Sequence, residues 1–504
     1  MTPKLVATAI KKYEELDGGQ GREVFFRPHR YRAPDLLPLV AQIVVTLGGV
    51  QRECALQDVS QNGVAFDWPS ELAIAPGAAL ELLIRFDEHI AYRGEARVGS
   101  VREQNGTTIA GVQFVDLLLD MDDLLQLRSI KTWSHDVDSG SISTPAQAGW
   151  RVPGHDHVKA LIAEMGLYMQ DSEKQLAALE ASLPWHVVHG DQSSPARTAL
   201  IEQLKRSFVA ELARAAEEID HGMRAVPPAH LRALAAYSHR HLQHFFMQSP
   251  LMHRAAVKPF GYPGDYEVMR FIYERNFEGG TLFAKAVHLA FDQMCAPRAV
   301  RFRKDLVKRQ LRTLIESRRG IGQPLRILSI AAGPAQELFE LLHELPELEM
   351  PLEIVLFDQD KGALAYAYRR LKPVVDARFP KQVQVLYLHE SIKRLLRDAD
   401  LFASFGRFDA IYSAGLTDYL QATTAMVLVR NLVGRLAPGG KALIANMVPE
   451  NPSRWVMEHH LDWYLVHRSR GELLELGKRA APDLACQILE EESGINPFVE
   501  IAKR

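Results

Sequence analysis

The chain has 504 residues, of which 47% are hydrophobic and 24% are charged, and its formal net charge is −3. A chain of this length holds about three domains, and so nearly neutral a balance excludes attraction of the whole protein to nucleic acid or anionic lipid. The three cysteines, Cys54, Cys295 and Cys486, lie far apart and form no CxxC pair. This spacing argues against a disulfide framework or a zinc ribbon and fits a reducing compartment.

No segment predicts a membrane span or a secretion signal. The N-terminal stretch MTPKLVATAIKKYEEL lacks the uninterrupted apolar core of a signal peptide. The apolar residues 36–50 are interrupted by Pro38, Gln42 and two glycines, and they are too few to cross a bilayer. We therefore expect a cytoplasmic protein with no nucleic-acid partner and no integral membrane contact.

The first part of the chain reads as β-structure. Between residues 24 and 114, short apolar runs such as AQIVVTL, GVAFDW, LELLIRF and TIAGVQF alternate with turn signals, which predicts a small antiparallel β-barrel or sandwich. Residues 116–133 predict a helix with a leucine face formed by Leu118, Leu125 and Leu127. Residues 134–156 are rich in Ser, Gly, Pro and Ala and predict a linker, so the β-domain is expected over residues 22–133.

The pattern then changes twice. Residues 157–315 are helical, with an apolar face at helical spacing between residues 200 and 219, and they are interrupted by the turn PFGYPGDY at residues 259–266. After residue 324, strands such as LRILSIA and LEIVLFD alternate with helices such as QELFELLHEL. That alternation predicts a doubly wound α/β domain with a mainly parallel sheet over residues 325–504.

The loop after the first strand of this domain is a candidate ligand site. Its sequence AAGPA, residues 331–335, consists of small residues that let the backbone approach a ligand, and the next helix begins with free N–H groups. The second strand ends at Asp358, where a carboxylate commonly accepts hydrogen bonds from ribose. A tight turn without a ligand is the alternative. Only Gly333 is a glycine, so the GxGxxG fingerprint of NAD-dependent enzymes is absent.

The stretch from residue 325 to residue 503 resembles the class I S-adenosylmethionine-dependent methyltransferases. The motifs that carry the resemblance are ILSIAAGPAQE, LFDQD, HESI, FDAIYSAGLTDYL, the PGG turn of LAPGGKALIANM, and NPFVEIAK as the terminal strand. AGPAQE and PFGYPGDYEVM resemble the subgroup described as 3-hydroxypalmitic acid methyl ester biosynthesis proteins. The chain departs from the family pattern at Ser329, which replaces an acidic residue, and at Ala331 and Ala335, which replace glycines.

The resemblance implies S-adenosylmethionine as cofactor. The residues that it assigns to cofactor binding follow the strand ends: Ala331, Ala332, Gly333, Pro334, Glu337, Asp358, Gln359, Ser391, Ile392, Ser413 and Gly415.

Methyl transfer requires an aligned nucleophile and the exclusion of water more than it requires a proton acceptor. A carboxylate acceptor is already anionic, so the lack of an obvious base near the fourth strand is compatible with O-methylation of an acid. We expect a small-molecule acceptor such as a 3-hydroxy fatty acid. Asp418 and Tyr419 are the candidate catalytic residues. In the alternative, Asp418 caps the next helix and Tyr419 packs.

The PFGYPGDY turn is a candidate lid over the cofactor or acceptor, with a structural connector as the alternative. The candidate substrate and lid residues are Gly261, Tyr262, Gly264, Asp265, Tyr266, Trp463 and Arg468. Trp463 and Arg468 are explained equally well as core and surface residues of a late helix. Residues 245–247 could form an apolar groove for an acyl chain, and the alternative is that they belong to the hydrophobic core. The cluster His239, His241, His244 and His253 lacks a carboxylate at ligand spacing, so no metal site is predicted.

The N-terminal β-domain carries a second candidate site. Three arginines stand close together in RPHRYR, and guanidinium groups suit phosphates and bases. A short polar loop, DVSQNG, joins two strands at residues 58–63. With the strand AGVQF, these features resemble a PilZ domain, the bacterial cyclic-di-GMP receptor module. The DxSxxG motif of that family is matched in full. Its RxxxR motif is not, because Tyr31 stands four positions after Arg27.

That resemblance implies cyclic-di-GMP as a regulatory ligand, bound by Arg27, Arg30, Arg32, Asp58, Ser60 and Gly63. Two hypotheses follow for the whole chain. In the first, it is a methyltransferase regulated by cyclic-di-GMP, with a homodimer as a further expectation. In the second, it is a non-catalytic cyclic-di-GMP effector whose degenerate methyltransferase fold serves protein interaction.

Overall fold

The computed structural model forms two compact units, one between Phe26 and Arg151 and the other from Val152 onward. Much of the predicted linker, residues 139–154, lies outside the described part of the chain. The described residues are 30–68, 74–104, 107–115, 118–138, 155–190, 194–320 and 322–504.

The first unit is a single antiparallel sheet. Its strands are β1 (Tyr31–Arg32), β2 (Ala41–Leu47), β3 (Val50–Cys54), β4 (Leu56–Ser60), β5 (Gly63–Asp67), β6 (Ala79–Phe86), β7 (His89–Gln104) and β8 (Thr107–Phe114). Their order in the sheet is β1-β4-β5-β8-β7-β6-β2-β3. Side chains alternate between the two faces of a strand, and Leu80, Leu82, Ile84 and Phe86 of β6 are accordingly buried. The antiparallel β-domain is therefore confirmed.

The helix that follows the sheet begins later than predicted. Helix α1 spans Met121–Asp138, and Asp120 caps it by accepting a hydrogen bond from the backbone N–H of Asp123. Leu118 lies before this start and is exposed, so the leucine face predicted through it is wrong. Leu119 and Leu124 are the leucines that this segment buries in the core of the sheet.

A bundle of helices opens the second unit. The helices are α2 (Asp156–Ser182), α3 (Trp185–Val188), α4 (Pro195–Leu204), α5 (Ala210–Arg224), α6 (Pro228–Phe246), α7 (Pro250–Val257), α8 (Tyr266–Glu274), α9 (Leu282–Asp292) and α10 (Cys295–Ser317). A π-helical turn, Lys205–Val209, joins α4 to α5. Every residue of α9 is buried, as expected of a helix surrounded by others. Phe245 and Phe246 belong to this core, which favours the plain-core explanation of residues 245–247.

The α/β domain follows α10. Its strands are β9 (Leu325–Ile330), β10 (Leu352–Asp358), β11 (Val383–His389), β12 (Phe408–Ser413), β13 (Leu436–Ala445), β14 (Ala485–Leu489) and β15 (Phe498–Ala502). Its helices are α11 (Gln336–Glu344), α12 (Lys361–Arg378), α13 (Ile392–Arg397), α14 (Ala422–Val433), α15 (Arg454–His460) and α16 (Arg470–Ala480).

The sheet of this domain has the order β11-β10-β9-β12-β13-β15-β14. Strands β9 to β13 are parallel, and β15 runs antiparallel between β13 and β14. The predicted doubly wound sheet is confirmed, and NPFVEIAK supplies the terminal strand. Strand order reverses between β9 and β12, and open α/β sheets bind ligands at the carboxyl ends of strands beside such a point. Among the described residues, no helix has both the length and the apolar character that a bilayer span demands.

The helical core predicts a stability difference between two leucines. Leu242 of α6 is completely buried, whereas Leu167 of α2 is exposed. We expect Leu242→Ala to lower the free energy of unfolding by about 2–5 kcal/mol, because it removes apolar contacts and leaves a cavity. Leu167→Ala, the matched control, should change it by less than about 0.5 kcal/mol. Urea denaturation followed by circular dichroism measures both, and equal losses would contradict the position given to α6.

Candidate functional site

The loop between β9 and α11 has an unusual backbone. Ala331, Gly333 and Ala335 have φ values of 53°, 53° and 50°, which lie in the left-handed region. Glycine adopts this conformation freely, whereas an L-residue such as alanine pays about 1 kcal/mol or more. A Cβ placed on Gly333 would meet no atom within 4 Å, so the space beside it is open. The substituted loop therefore keeps a glycine-type path, at a conformational cost for its two alanines.

Asp358 ties this loop to the end of β10. Its buried carboxylate accepts hydrogen bonds from the backbone N–H of Gly333 at 2.8 Å and of Asp360 at 2.9 Å. Burial, with repulsion from Asp360, raises the pKa of Asp358 to about 7. Each carboxylate oxygen has two lone pairs, so both oxygens can accept a further hydrogen bond.

Two buried polar atoms at this edge of the sheet lack partners. Ser413 Oγ at the end of β12 and Gln359 Oε1 just after β10 make no hydrogen bond within the described part of the chain. A buried polar atom without a partner costs about 1–3 kcal/mol. Both residues are among the predicted cofactor-binding residues, and both atoms fit a polar ligand such as S-adenosylmethionine.

The end of β11 is organised differently. Ser391 is buried, and its hydroxyl accepts the backbone N–H of Arg394 at 3.1 Å, which makes Ser391 the N-cap of α13. Ile392 is buried beside it. The Ser391 hydroxyl caps the helix and keeps its O–H as a donor. The segment also offers its backbone and the apolar Ile392 surface.

A buried acidic residue lies in the first turn of α11. Glu337 of α11 is buried, and the hydroxyl of Tyr412 donates a hydrogen bond to it at 2.7 Å. Burial raises the pKa of Glu337. Tyr412 also interacts with the side chain of Ser329. Tyr412 of β12 thus links Ser329 of β9 to Glu337 of α11.

The candidate catalytic pair lies in a short 3-10 turn, Thr417–Tyr419. The buried carboxylate of Asp418 accepts the backbone N–H of Met447 at 2.7 Å, and burial raises its pKa to about 6. The N-cap of α14 is Gln421. The alternative in which Asp418 caps that helix is therefore wrong, because its carboxylate holds the segment after β13.

The PFGYPGDY turn lies against the strand ends. The Tyr262 hydroxyl is 3.4 Å from Asp360 Oδ2. A Cβ on Gly264 would lie 2.8 Å from Trp463 Cζ2 and 2.9 Å from the Tyr419 hydroxyl. The indole N–H of Trp463 donates to that hydroxyl at 3.0 Å. The structure thus brings together the turn, Trp463 and Tyr419, which are far apart in sequence.

Other residues of this group hold the turn in place. Asp265 is buried, caps α8 through the N–H groups of Glu267 and Val268, and pairs with Arg254 at 2.8 Å. Its carboxylate therefore stabilises the turn. Gly261 has a φ of 82°, and the Tyr266 ring lies beside α12, where a Cβ on Gly362 would be 2.7 Å from it.

The segment LDWYLVHR, residues 461–468, is irregular rather than helical. Helix α15 ends at His460, and Asp462 then takes a left-handed φ of 48°. The late-helix explanation is therefore wrong. The buried side chain of Arg468 donates to the carbonyl groups of Thr417 and Leu420 and to Asn446. Arg468 thus positions the turn that carries Asp418 and Tyr419.

Sequence reasoning missed Arg303. This arginine of α10 is buried, and a Cβ on Gly415 would lie 3.2 Å from both of its Nη atoms. Its helical spacing from the buried residues Ala299, Val300 and Leu306 was a signal, because it places a charge on an apolar face.

The β-domain shows the second candidate site. Arg30 Nη1 lies 2.5 Å from Asp58 Oδ1, and the backbone of Arg32 pairs with that of Asp58 between β1 and β4. Ser60 is buried and its hydroxyl donates to the carbonyl of Gly63 at 3.1 Å. A Cβ on Gly63 would lie 2.4 Å from the Val112 carbonyl, so only glycine fits there. Arg27 lies outside the described residues.

The histidines do not form a metal site in the described part of the chain. No group of three or more His, Cys, Asp or Glu side chains there is arranged to hold a metal ion. The ring of His239 stacks on that of His460 at 5.9 Å.

Comparison with known proteins identifies the N-terminal unit. The PilZ domain model matches residues 25–130, so this part of the chain is a PilZ domain. No curated protein matches the chain in sequence.

Solved structures resemble the rest of the chain only distantly. A possible exported protein of Bordetella parapertussis is 16% identical with a TM-score of 0.40, over 62% of this chain and 99% of that one. Magnesium protoporphyrin IX methyltransferase of Synechocystis PCC 6803 is 9% identical with a TM-score of 0.30, over 42% and 84%. The N-methyltransferase NodS of Bradyrhizobium japonicum WM9 is 16% identical with a TM-score of 0.28, over 42% and 90%.

The close approach at Gly264 predicts a selective packing defect. We expect Gly264→Ala to lower the free energy of unfolding by about 1–3 kcal/mol, because the added methyl group meets Trp463 and Tyr419. It should also shift the tryptophan emission. Gly471→Ala in α16 is the control, since a Cβ there meets nothing within 4 Å. Thermal melting and fluorescence of the two variants measure the difference. Unchanged melting temperature and tryptophan emission in Gly264→Ala would contradict the contact between the turn and Trp463.

Proposed function

We propose that the second unit binds S-adenosylmethionine and transfers its methyl group to a small-molecule acceptor. The observation that carries the proposal is the left-handed loop at residues 331–335, held by Asp358 at the point where strand order reverses. The motifs that resemble class I methyltransferases lie at the same strand ends. The open space beside Gly333 adds support, because a ligand needs close access to the backbone there.

The side chains at the strand ends suit the parts of this cofactor. Asp358 can accept hydrogen bonds from ribose hydroxyls in addition to its two backbone donors. Gln359 Oε1 and Ser413 Oγ are buried and would gain the hydrogen bonds that they lack. The buried Ile392 offers an apolar surface suited to a base.

S-adenosylmethionine would supply a methyl group on a positively charged sulfur. The chain would align the acceptor and keep water away from the reacting atoms. Tyr419, Trp463 and Gly264 form a packed wall after β12 that suits this role. Asp418 already accepts a backbone N–H and positions the turn. Because these residues include no committed general base, an acceptor that is already anionic fits best, and we propose the carboxylate of a 3-hydroxy fatty acid.

A second candidate is a non-catalytic effector that uses this fold for protein interaction. The observation in its favour is the pair of left-handed alanines, Ala331 and Ala335, where glycine costs less. Retained binding of S-adenosylmethionine would count against it.

The role of Asp358 is testable by substitution. We expect Asp358→Ala to weaken binding of S-adenosylmethionine by about 2–3 kcal/mol, because it removes a ribose hydrogen-bond pair and releases the loop. The control is Asp376→Ala on the exposed face of α12, where Asp376 forms a salt bridge with Lys372. Isothermal titration calorimetry measures both. Unchanged affinity in Asp358→Ala would remove this residue from the site.

We also propose that the PilZ domain binds cyclic-di-GMP and thereby regulates methyl transfer. Arg30 is half exposed, and an exposed ion pair contributes only about 0–1 kcal/mol. Its guanidinium group is therefore available to a phosphate. Ser60 and Gly63 fix the tight turn that presents Asp58 beside it.

The three cysteines are free thiols, which suits action in the reducing cytoplasm.

Substitution of Arg30 should separate the two ligands. We expect Arg30→Ala to weaken cyclic-di-GMP binding by about 1.5–3 kcal/mol, because a charged hydrogen bond to phosphate is lost. Binding of S-adenosylmethionine should not change. Arg52→Ala, an exposed arginine on β3, serves as the control. Calorimetric titration with each ligand decides, and equal loss of both would show that the variant is misfolded.

A further inference from the structure

Arg303 is a buried cation whose charge is poorly matched. The residue is only 8% exposed, and its Nε has no hydrogen-bond partner among the described residues. Asp418 is the only carboxylate of the described chain within 4 Å, and the separation from Arg303 Nη1 is 4.0 Å. The other Nη atom is 4.0 Å from the sulfur of Met269. Neither contact is a strong hydrogen bond, and the further hydrogen bond of the guanidinium group is with the uncharged side chain of Tyr273.

Two other arginines of this unit make more hydrogen bonds than Arg303 does. Arg301, two residues earlier on α10, lies 2.7 Å from Asp292 Oδ1 and also donates to two backbone carbonyls. Arg468, which is equally buried, donates to three oxygens. Burying a guanidinium group without a carboxylate at hydrogen-bond distance costs several kcal/mol. The incomplete hydrogen bonding of Arg303 is explained if a ligand accepts hydrogen bonds from it.

The guanidinium group lies inside the candidate methyltransferase site. Both Nη atoms face the backbone of Gly415, which follows β12 by two residues, and a Cβ there would approach them to 3.2 Å. Asp418 follows on the same segment, and Ser413 precedes it with its unpartnered hydroxyl. Met269, on the helix that follows the PFGYPGDY turn, bounds the other side.

The chemistry of the surroundings selects the ligand. A guanidinium group binds a carboxylate through two parallel hydrogen bonds, which one Nη atom and the unpartnered Nε can supply. A dianionic phosphate would place two negative charges beside the buried Asp418. A carboxylate adds only one negative charge and still accepts two hydrogen bonds.

We propose that Arg303 binds a carboxylate within the methyltransferase site. The inference rests on the proposed function, because two ligands of the proposed methyltransferase site carry a carboxylate. One carboxylate belongs to the amino-acid end of S-adenosylmethionine, and the other belongs to the acceptor. In either case Arg303 orients its ligand toward the end of β12.

If the acceptor is the ligand, the reaction balances without a base. One carboxylate oxygen attacks the methyl carbon while Arg303 holds the carboxylate group. The carbon–sulfur bond breaks and its electron pair goes to sulfur. The products are a methyl ester and a neutral thioether, so one positive and one negative charge disappear and no proton moves.

Substitution of Arg303 tests the assignment by ligand binding. The variants are Arg303→Gln, which removes the charge, and Arg303→Lys, which keeps it. The control is Arg309→Gln on the exposed face of the same helix. Calorimetry of the full-length chain gives the affinities for S-adenosylhomocysteine, for 5′-methylthioadenosine, which lacks the amino-acid end, and for 3-hydroxydecanoate with and without nucleoside.

We expect Arg303→Gln to weaken one carboxylate ligand by about tenfold or more, with partial recovery in Arg303→Lys. Binding of 5′-methylthioadenosine should stay unchanged in every variant. Weaker S-adenosylhomocysteine binding would identify the cofactor as the source of the carboxylate. Unchanged S-adenosylhomocysteine with weaker 3-hydroxydecanoate binding would identify the acceptor.

Failure of the proposed function and failure of the Arg303 assignment give different results. Wild-type protein that binds neither nucleoside would contradict the proposed function. Wild-type protein that binds both nucleosides, while Arg303→Gln weakens no carboxylate ligand, would overturn the assignment of Arg303 alone. Melting temperatures give a separate check, because they show whether each variant keeps the stability of the wild-type protein. A destabilised Arg303→Gln variant that binds all ligands equally weakly would make Arg303 a structural residue.

Discussion

The buried carboxylate of Asp358 organises the carboxyl edge of the α/β sheet. By accepting N–H groups from Gly333 and Asp360, it fixes the loop after β9 and the turn after β10 with one side chain. That loop leads directly into α11, and so its path also sets the position of Glu337. Asp360 in turn contacts Tyr262 of the PFGYPGDY turn. The geometry of the candidate site therefore depends on a single charge-assisted hydrogen-bonding centre.

The charges in this site are unevenly distributed. Burial raises the pKa of Asp358 to about 7 and that of Asp418 to about 6, and it raises the pKa of Glu337. These acidic groups favour a ligand that carries positive charge, such as a sulfonium ion. Arg303 is the counterpart that favours a carboxylate. A cofactor with a cationic sulfur and an acceptor with an anionic group would together match this arrangement.

The features that follow from local pattern could be predicted from the sequence. Alternation of strands and helices gave the doubly wound domain, and small residues marked the loop at residues 331–335. The DxSxxG loop marked the PilZ domain, which spans residues 25–130. Both signals are local because a strand, a turn and a cap each depend on neighbours in the chain.

The features that depend on distant contacts could not be predicted. LDWYLVHR is irregular rather than helical, because the backbone N–H groups of Val466 and Arg468 donate to the carbonyl groups of Asp418 and Met447. The start of α1 depends on the Asp120 cap rather than on the leucine spacing. The role of Arg303 depends on Gly415, more than a hundred residues away in the sequence. Such pairings follow from tertiary packing, which overrides local propensity.

A crystal structure of the protein with S-adenosylhomocysteine would show whether Asp358 and the loop at residues 331–335 hold the cofactor. We expect the ribose hydroxyls at Asp358, the amino-acid end along residues 331–335, and the sulfur near the end of β12. A nucleoside bound at another place, or crystals grown with saturating ligand in which these contacts are missing, would contradict it.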